Sequence, residues 1–320
     1  SQVGLMSRVL VLFMDGVGLG ADDPERNPLS AADMPTLTEL LEGRKLVAGS
    51  APFIGERASL ISLDASLGVA GAPQSATGQA VLLTGANVPH KIGRHYGPKP
   101  NEEVAEFIRR DNLFCRMVKA GRTAALLNAY PPQYFENINS GHRLYSAIPM
   151  AVDAAGIKLM TAADLQAGRA LSADFTGAGW SAQPSFPPTA VYDNEEAGRL
   201  LAALAGRYDM SWFDYWASDY AGHKQALERA IGLMESFDAV LGGLLAMPAD
   251  GPDLIVLTSD HGNMEDMSVR GHTLNPVPAL LIGAAQLRES AASGLHDLAD
   301  VAPMIERAVL GPNPPGPAGS

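Results

Sequence analysis

The stretch SDHGNMEDMSVRGHT (259–273) sets Asp260 beside His261 and returns another imidazole, His272, eleven positions later. Upstream, SDYAGHK (218–224) carries Asp219 and His223, and Asp15 follows an apolar run at 8–14. Three carboxylates and three imidazoles make a mixed oxygen and nitrogen donor set. Such a set suits Zn²⁺ or Mn²⁺, with Mg²⁺ also possible, better than an all-oxygen ion such as Ca²⁺. Six donors exceed what one ion with an open position uses, and they suit two. Two divalent ions ~3.5–4 Å apart can hold the attacking and leaving oxygens of an in-line phosphoryl displacement.

Covalent phosphoryl transfer also needs a nucleophile. GAPQSATGQAVLLTGAN (71–87) offers Ser75, after a Gly/Pro turn and before a predicted helix; Thr77 is the alternative. A helix start presents free N–H groups and a positive dipole end, which favours a phosphoryl oxyanion. Ser75 lies nearer the turn and is the better candidate. A cation at its oxygen, making Ser75 a metal ligand as well, would strengthen it as a nucleophile.

These residues need elements to position them. Strand-like apolar runs occur at 8–14, 123–129, 209–217, 253–259 and 278–283. Helical patterns fall at 102–120, with Gly121 as its stop signal, and at 194–207, 224–247 and 297–310. Alternation of the two predicts an α/β fold, a largely parallel sheet sandwiched by helices. Ligands of such sheets bind beyond the carboxyl ends of the strands, where Asp15, Asp219 and Asp260 fall. The region 87–188 is rich in Pro, Gly, Asn and Tyr and reads as an inserted cap, or substrate, domain. The catalytic core would then be discontinuous, 1–86 and 189–312, with a disordered Pro/Gly-rich tail at 313–320.

The chain has 320 residues, 47% of them apolar, and a net charge of −12 from 23 basic and 35 acidic residues. That charge provides no footprint for nucleic acid or an anionic membrane, and a phosphate would be repelled unless cations reversed the local sign. The run at 8–14 is too short to span a bilayer. A single cysteine, Cys115, excludes an internal disulfide framework and fits a cytoplasmic protein. DGVGLGA (15–21) matches a dinucleotide fingerprint, but that motif must open a helix, and DDPERNP follows instead. His142 and His296 have no partner pattern. PHKIGRHYGPK (89–99) gathers Lys91, Arg94, His95 and Lys99 just after the nucleophile segment. It is a candidate patch for the phosphate or carboxylate of a small phosphorylated metabolite.

LFMDGVG, PQSATGQ, SDYAGHK, SDHGN and GHTLNPVP resemble, in that order, the signatures of the alkaline phosphatase superfamily. They are closest to its cofactor-independent phosphoglycerate mutases and phosphopentomutases, over about 8–86 and 190–310. The resemblance implies that Asp219, His223 and His272 hold one metal and that Asp15, Asp260 and His261 hold the other. Ser75 would be the phosphorylated residue. Where the mutases resemble Ser-Glu-Val-Gly-His, this chain has SATGQ, with Gln79 in the His place. The expected activity is a two-metal phosphatase or phosphoesterase acting through phosphoserine. The alternatives are a phosphomutase and, in another class, a non-catalytic metal-stabilised protein that binds a phosphorylated ligand.

Overall fold

The structure is a computed structural model and describes residues 6–246 and 248–312. The tail predicted at 313–320 lies outside the described residues. The five predicted apolar runs form β1 (Val9–Met14), β4 (Ala124–Leu126), β5 (Met210–Tyr215), β6 (Leu254–Thr258) and β7 (Val277–Gly283). Two more strands, β2 (Phe53–Ile54) and β3 (Ala58–Leu63), join them. The single sheet has the order β2-β3-β7-β6-β1-β5-β4. From β6 to β4 every pairing is parallel. On the other side, β7 runs antiparallel to both β6 and β3, and β2 antiparallel to β3.

Parallel pairing brings the carboxyl ends of three central strands level. Met14 lies opposite Tyr215, and Phe13 lies opposite both Asp214 and Thr258. Successive side chains of a strand face opposite sides. Val9, Val11, Phe13, Met210 and Trp212 therefore pack on one face, against the helix Ser75–Thr84. Leu10, Leu12, Met14, Phe213 and Tyr215 pack on the other, against the helices Asn194–Ala205 and Leu227–Leu245. Helices on both faces bury β1 and β6 completely, and β1 is apolar along its whole length as a result.

The region 87–188 is not a separate lobe from its first residue, as the sequence suggests. Helices Glu102–Arg110 and Leu113–Lys119 bury Val104, Ile108, Phe114 and Met117 in the same core as β1 and the helix Ser75–Thr84. β4 pairs with β5. A small core of its own, around Leu165, Ala170 and Trp180, belongs to the later part of the region. The helix predicted over 102–120 is also two. Asn112 interrupts it: the side chain accepts from the Cys115 amide (3.1 Å) and donates to the Ile108 and Ala151 carbonyls (2.9 and 3.3 Å). Asn is a strong N-cap residue, and here it ends one helix while starting the next.

The helices on the second face approach closely at two glycines. A Cβ on Gly198 would collide with the Val240 carbonyl oxygen, and one on Gly243 with that of Glu195. Gly198→Ala would add helix propensity but force the helix pair apart. The expected net loss is about 2 kcal/mol of unfolding free energy, read from urea denaturation.

Candidate metal centre

Asp15 leaves β1 where the chain turns sharply. Its amide donates to the Tyr215 carbonyl (3.0 Å), and the Asp15 carbonyl accepts from Ser218 Oγ (2.6 Å). Gly16 follows with φ +68°, and a Cβ there would strike the Asp219 carboxylate, so only glycine fits. Asp219 lies in the helix Ala217–Lys224, which begins two residues after β5. Asp260 and His261 lie in the turn after β6, and His272 lies on the loop that leads into β7.

His261 is fully buried and stands at the middle of the group. Its Nε2 is 3.0 Å from Ser75 Oγ, 3.4 Å from Asp15 Oδ1, 3.5 Å from Asp260 Oδ2 and 4.0 Å from Asp219 Oδ1. The His272 ring stacks on it at 3.7 Å, with its Nε2 4.0 Å from Asp219 Oδ1. Each imidazole donates from Nδ1 to a backbone carbonyl, His261 to Gly262 (3.1 Å) and His272 to Pro73 (2.7 Å). Those bonds orient both rings and leave each Nε2 free to face a metal ion, an arrangement that tunes metal-binding histidines. Donor atoms of Asp15, Asp260 and His261 lie within 4.8 Å of one another, as do those of Asp219, His261 and His272. His223 meets the cluster at Asp219 Oδ2 (3.2 Å) and at the His272 ring, 5.3 Å between centroids, and is half exposed.

The electrostatics call for cations. Burial, then the Asp260 and Asp219 charges, hold the Asp15 carboxyl well above the usual carboxylate range, against the pull of His261. Burial alone would depress the His261 imidazolium. Asp260, Asp15 and Asp219 outweigh it and raise the group to about 10. Burial, then the charge on His261, lowers His272. Asp15 Oδ1 is buried with no hydrogen-bond partner. A crowd of acceptors with one orphaned carboxylate oxygen fits a divalent ion, and the residues present match that role.

Ser75 opens the helix Ser75–Thr84 and is itself buried. Thr77 faces another way: its Oγ1 and amide engage Tyr96 (3.0–3.2 Å). Gly78 lets the helix abut the turn after β6, since a Cβ there would lie 2.9 Å from the Asp260 carbonyl oxygen. Gln79 Nε2 donates to Asp260 Oδ2 (3.0 Å) and more weakly to Asp15 Oδ2 (3.5 Å). A neutral amide thus spans two carboxylates.

The basic patch is engaged elsewhere. Arg94 pairs with Glu103 (2.8 Å), and Lys91 lies 5.5 Å from the Phe107 ring centroid. His95 donates from Nε2 to the Val69 carbonyl (3.2 Å). Lys99 donates to the Leu144 carbonyl (3.1 Å).

Glu265 was not foreseen. It is buried and accepts from the amides of Gly18 (2.9 Å) and Asn263 (2.6 Å), from Thr273 Oγ1 (2.6 Å) and from Asn275 Nδ2 (3.0 Å). It ties the loop after Asp15 to the loops that carry His261 and His272. The available signal was the glycine spacing around it: a Cβ on Gly18, Gly20 or Gly262 would run into Glu265.

The sequence profile of the Metalloenzyme superfamily matches residues 188–310. A 2,3-bisphosphoglycerate-independent phosphoglycerate mutase of Dinoroseobacter shibae is 33% identical over 145 residues, 41% of this chain and 28% of that protein. One of Chloroflexus aurantiacus is 29% identical over 233 residues, 64% of this chain and 41% of that protein. The chain thus spans less than half the length of these relatives. The structure of alkaline phosphatase from the Antarctic bacterium TAB5 superposes with a TM-score of 0.53, covering 95% of this chain and 98% of that one, at 12% identity. Among the described residues no helix is long and apolar enough to cross a membrane. The family match covers the segment that bears Asp219, His223, Asp260, His261 and His272, and the fold of the chain is that of the TAB5 alkaline phosphatase.

Proposed function

We propose that this protein is a two-metal phosphoryl-transfer enzyme that hydrolyses small phosphomonoesters through a phosphoserine at Ser75. The observation that carries the reading is the 3.0 Å approach of Ser75 Oγ to His261 Nε2, at a helix start amid the candidate ligands. Asp15, Asp260 and His261 would hold one ion. Asp219 and His272, with His223 completing the set, would hold the other. Bound divalent ions supply positive charge that offsets the phosphate oxyanions and acidifies the serine hydroxyl. Manganese or zinc suits the donors best.

The chain's own residues do the rest. The first-turn amides of Thr77 and Gly78 are taken by the Tyr96 and Gln74 carbonyls (3.0 and 2.9 Å), which leaves those of Ser75 and Ala76 for a phosphoryl oxygen. Ser75 Oγ loses its proton to water and bonds to phosphorus as the bond to the alcohol oxygen breaks. The alcohol leaves with a proton from water. A second oxygen nucleophile then cleaves the phosphoserine and restores the hydroxyl. Water as that nucleophile makes a phosphatase. Half-exposed His223 lies at the edge of the ligand group, and such an open edge admits water. A mutase, in which a second hydroxyl of the substrate takes the phosphoryl group, is favoured by the names of the curated relatives. A purely binding role leaves the placement of Ser75 without a use. The buried free thiol of Cys115 suits a reducing, cytoplasmic setting.

Ser75→Ala should lower kcat for p-nitrophenyl phosphate by about 10⁴-fold or more and remove the phosphoserine seen by mass spectrometry. Manganese uptake should persist; undiminished turnover would rule Ser75 out. The cation-free protein should also lose stability with rising pH. His261 and Asp15 both have folded pKa values raised above their unfolded ones, so their contribution is full below the unfolded value and is lost as pH climbs. For His261 that window runs from 6.5 to about 10. Ions replace the His261 proton, so the Tm of the manganese-loaded protein should hardly fall between pH 6.5 and 9, while that of the chelated protein drops. Parallel melting curves across this range check it.

A further inference from the structure

The basic side chains of 89–99 are engaged elsewhere, but the backbone of that segment lies against the start of the helix Ser75–Thr84. Thr77 is fully buried in the first turn of that helix and meets Tyr96 three times. Its amide donates to the Tyr96 carbonyl (3.0 Å), and its hydroxyl donates to the same oxygen (3.2 Å). That hydroxyl also accepts from the Tyr96 amide (3.0 Å). One residue thus bolts the segment to the turn that carries Ser75. The Tyr96 ring packs on the main core and holds the segment from its other side.

Gly97 follows and brings the segment closer still. A Cβ on it would lie 3.0 Å from the Ser75 amide nitrogen, 3.4 Å from that of Ala76 and 3.3 Å from Gln74 Cβ. Gly97 does not adopt the left-handed backbone, so space and not conformation calls for glycine here. Among the described residues the two amides it faces have no hydrogen-bond partner. Both belong to buried residues, where an unpaired donor is costly. Two free donors therefore stand beside a wall of backbone that leaves little room for even one added carbon. A bare acceptor oxygen is small enough to reach them. An oxygen that carries a carbon brings the bulk that the wall already refuses.

We propose that Thr77 and Gly97 set the specificity of the phosphoryl site. Thr77 is a positioning residue that holds the Tyr96–Gly97 wall beside the Ser75 and Ala76 amides. The wall admits a phosphoryl group whose non-bridging oxygens are bare and refuses one in which such an oxygen carries carbon. Monoesters are accepted and diesters excluded at the nucleophile itself. The inference rests on the reading of Ser75 as phosphoryl acceptor and of the two amides as donors to a phosphoryl oxygen. The wrong ester both collides with the wall and leaves those donors unpaired, and sites that combine the two discriminate well.

The test is isothermal titration of manganese-loaded Ser75→Ala protein with methyl phosphate and dimethyl phosphate, which differ by one methyl on a non-bridging oxygen. The monoester should bind about a hundredfold more tightly or better. Adding Thr77→Val removes the hydroxyl at nearly constant shape and should cut that preference about tenfold. Thr77→Ser keeps the hydroxyl and should restore it. Adding Gly97→Ala should weaken the monoester about tenfold, with manganese uptake unchanged. A preference unchanged by Thr77→Val, or monoester binding unchanged by Gly97→Ala, would overturn the proposal. Should Thr77→Val not fold, the Gly97→Ala result decides alone. Labelling of the protein with Ser75 intact by p-nitrophenyl phosphate separates the two readings. If phosphoserine forms while the esters ignore both substitutions, only the wall is wrong. If Ser75 is never labelled and neither ester binds, the nucleophile reading falls and the wall falls with it.

Discussion

Asp15, Asp219 and Asp260 surround one buried imidazole, and that concentration of negative charge is the constraint the architecture serves. Like carboxylates this close resist ionising together. Besides the charge on His261, the protein limits the conflict with neutral dipoles. Gln79 places a neutral amide between Asp15 and Asp260, and Asn263 donates to Asp219 Oδ1 (2.7 Å). The amides of Gly16 and His261 add donors to Asp260 Oδ1 (3.1 and 3.0 Å). What these dipoles leave uncompensated is the driving force for taking up divalent ions.

The arrangement survives because three loops of different origin share one anchor. Glu265 uses both carboxylate oxygens to hold the loop after β1, the turn after β6 and the segment before β7. A buried carboxylate is tolerable only when donors saturate it, and four do so here. The nearby glycines serve close approach: any side chain on Gly18 or Gly262 would occupy the volume of Glu265.

Much of this was legible in the sequence because burial on both faces leaves an unmistakable trace. β1, β5, β6 and β7 appear as apolar runs, and the polar residues after them mark the carboxyl edge of the sheet. β3 was missed because ASLISL is broken by serines. Ser59 is buried and accepts from buried Arg288 (2.7 Å), a long-range pairing that no local pattern announces. The periodicity over 102–120 is real, but Asn112 redirects it, and propensity alone could not favour a cap over a continuing helix. The compositional change near 87 does not mark the start of a new core, since the helices at 102–119 pack on the main core and β4 joins the sheet; a small separate core comes only later, around Leu165, Ala170 and Trp180. Glu265 was passed over because only the fold brings Gly18, from the loop after β1, to the carboxylate that Asn263, Thr273 and Asn275 already surround.

The two outermost strands, β2 and β4, are also the shortest, with two and three residues. Between them lies a sheet whose central strands are all interior. An exposed strand edge is a template for pairing with other chains, and brevity is one way proteins blunt it. Here the template on either side amounts to a few peptide groups. Growth of the sheet from one copy of the protein into the next is thereby disfavoured, and a rigid, apolar framework can carry its charged rim at high concentration without recruiting its own kind into fibres.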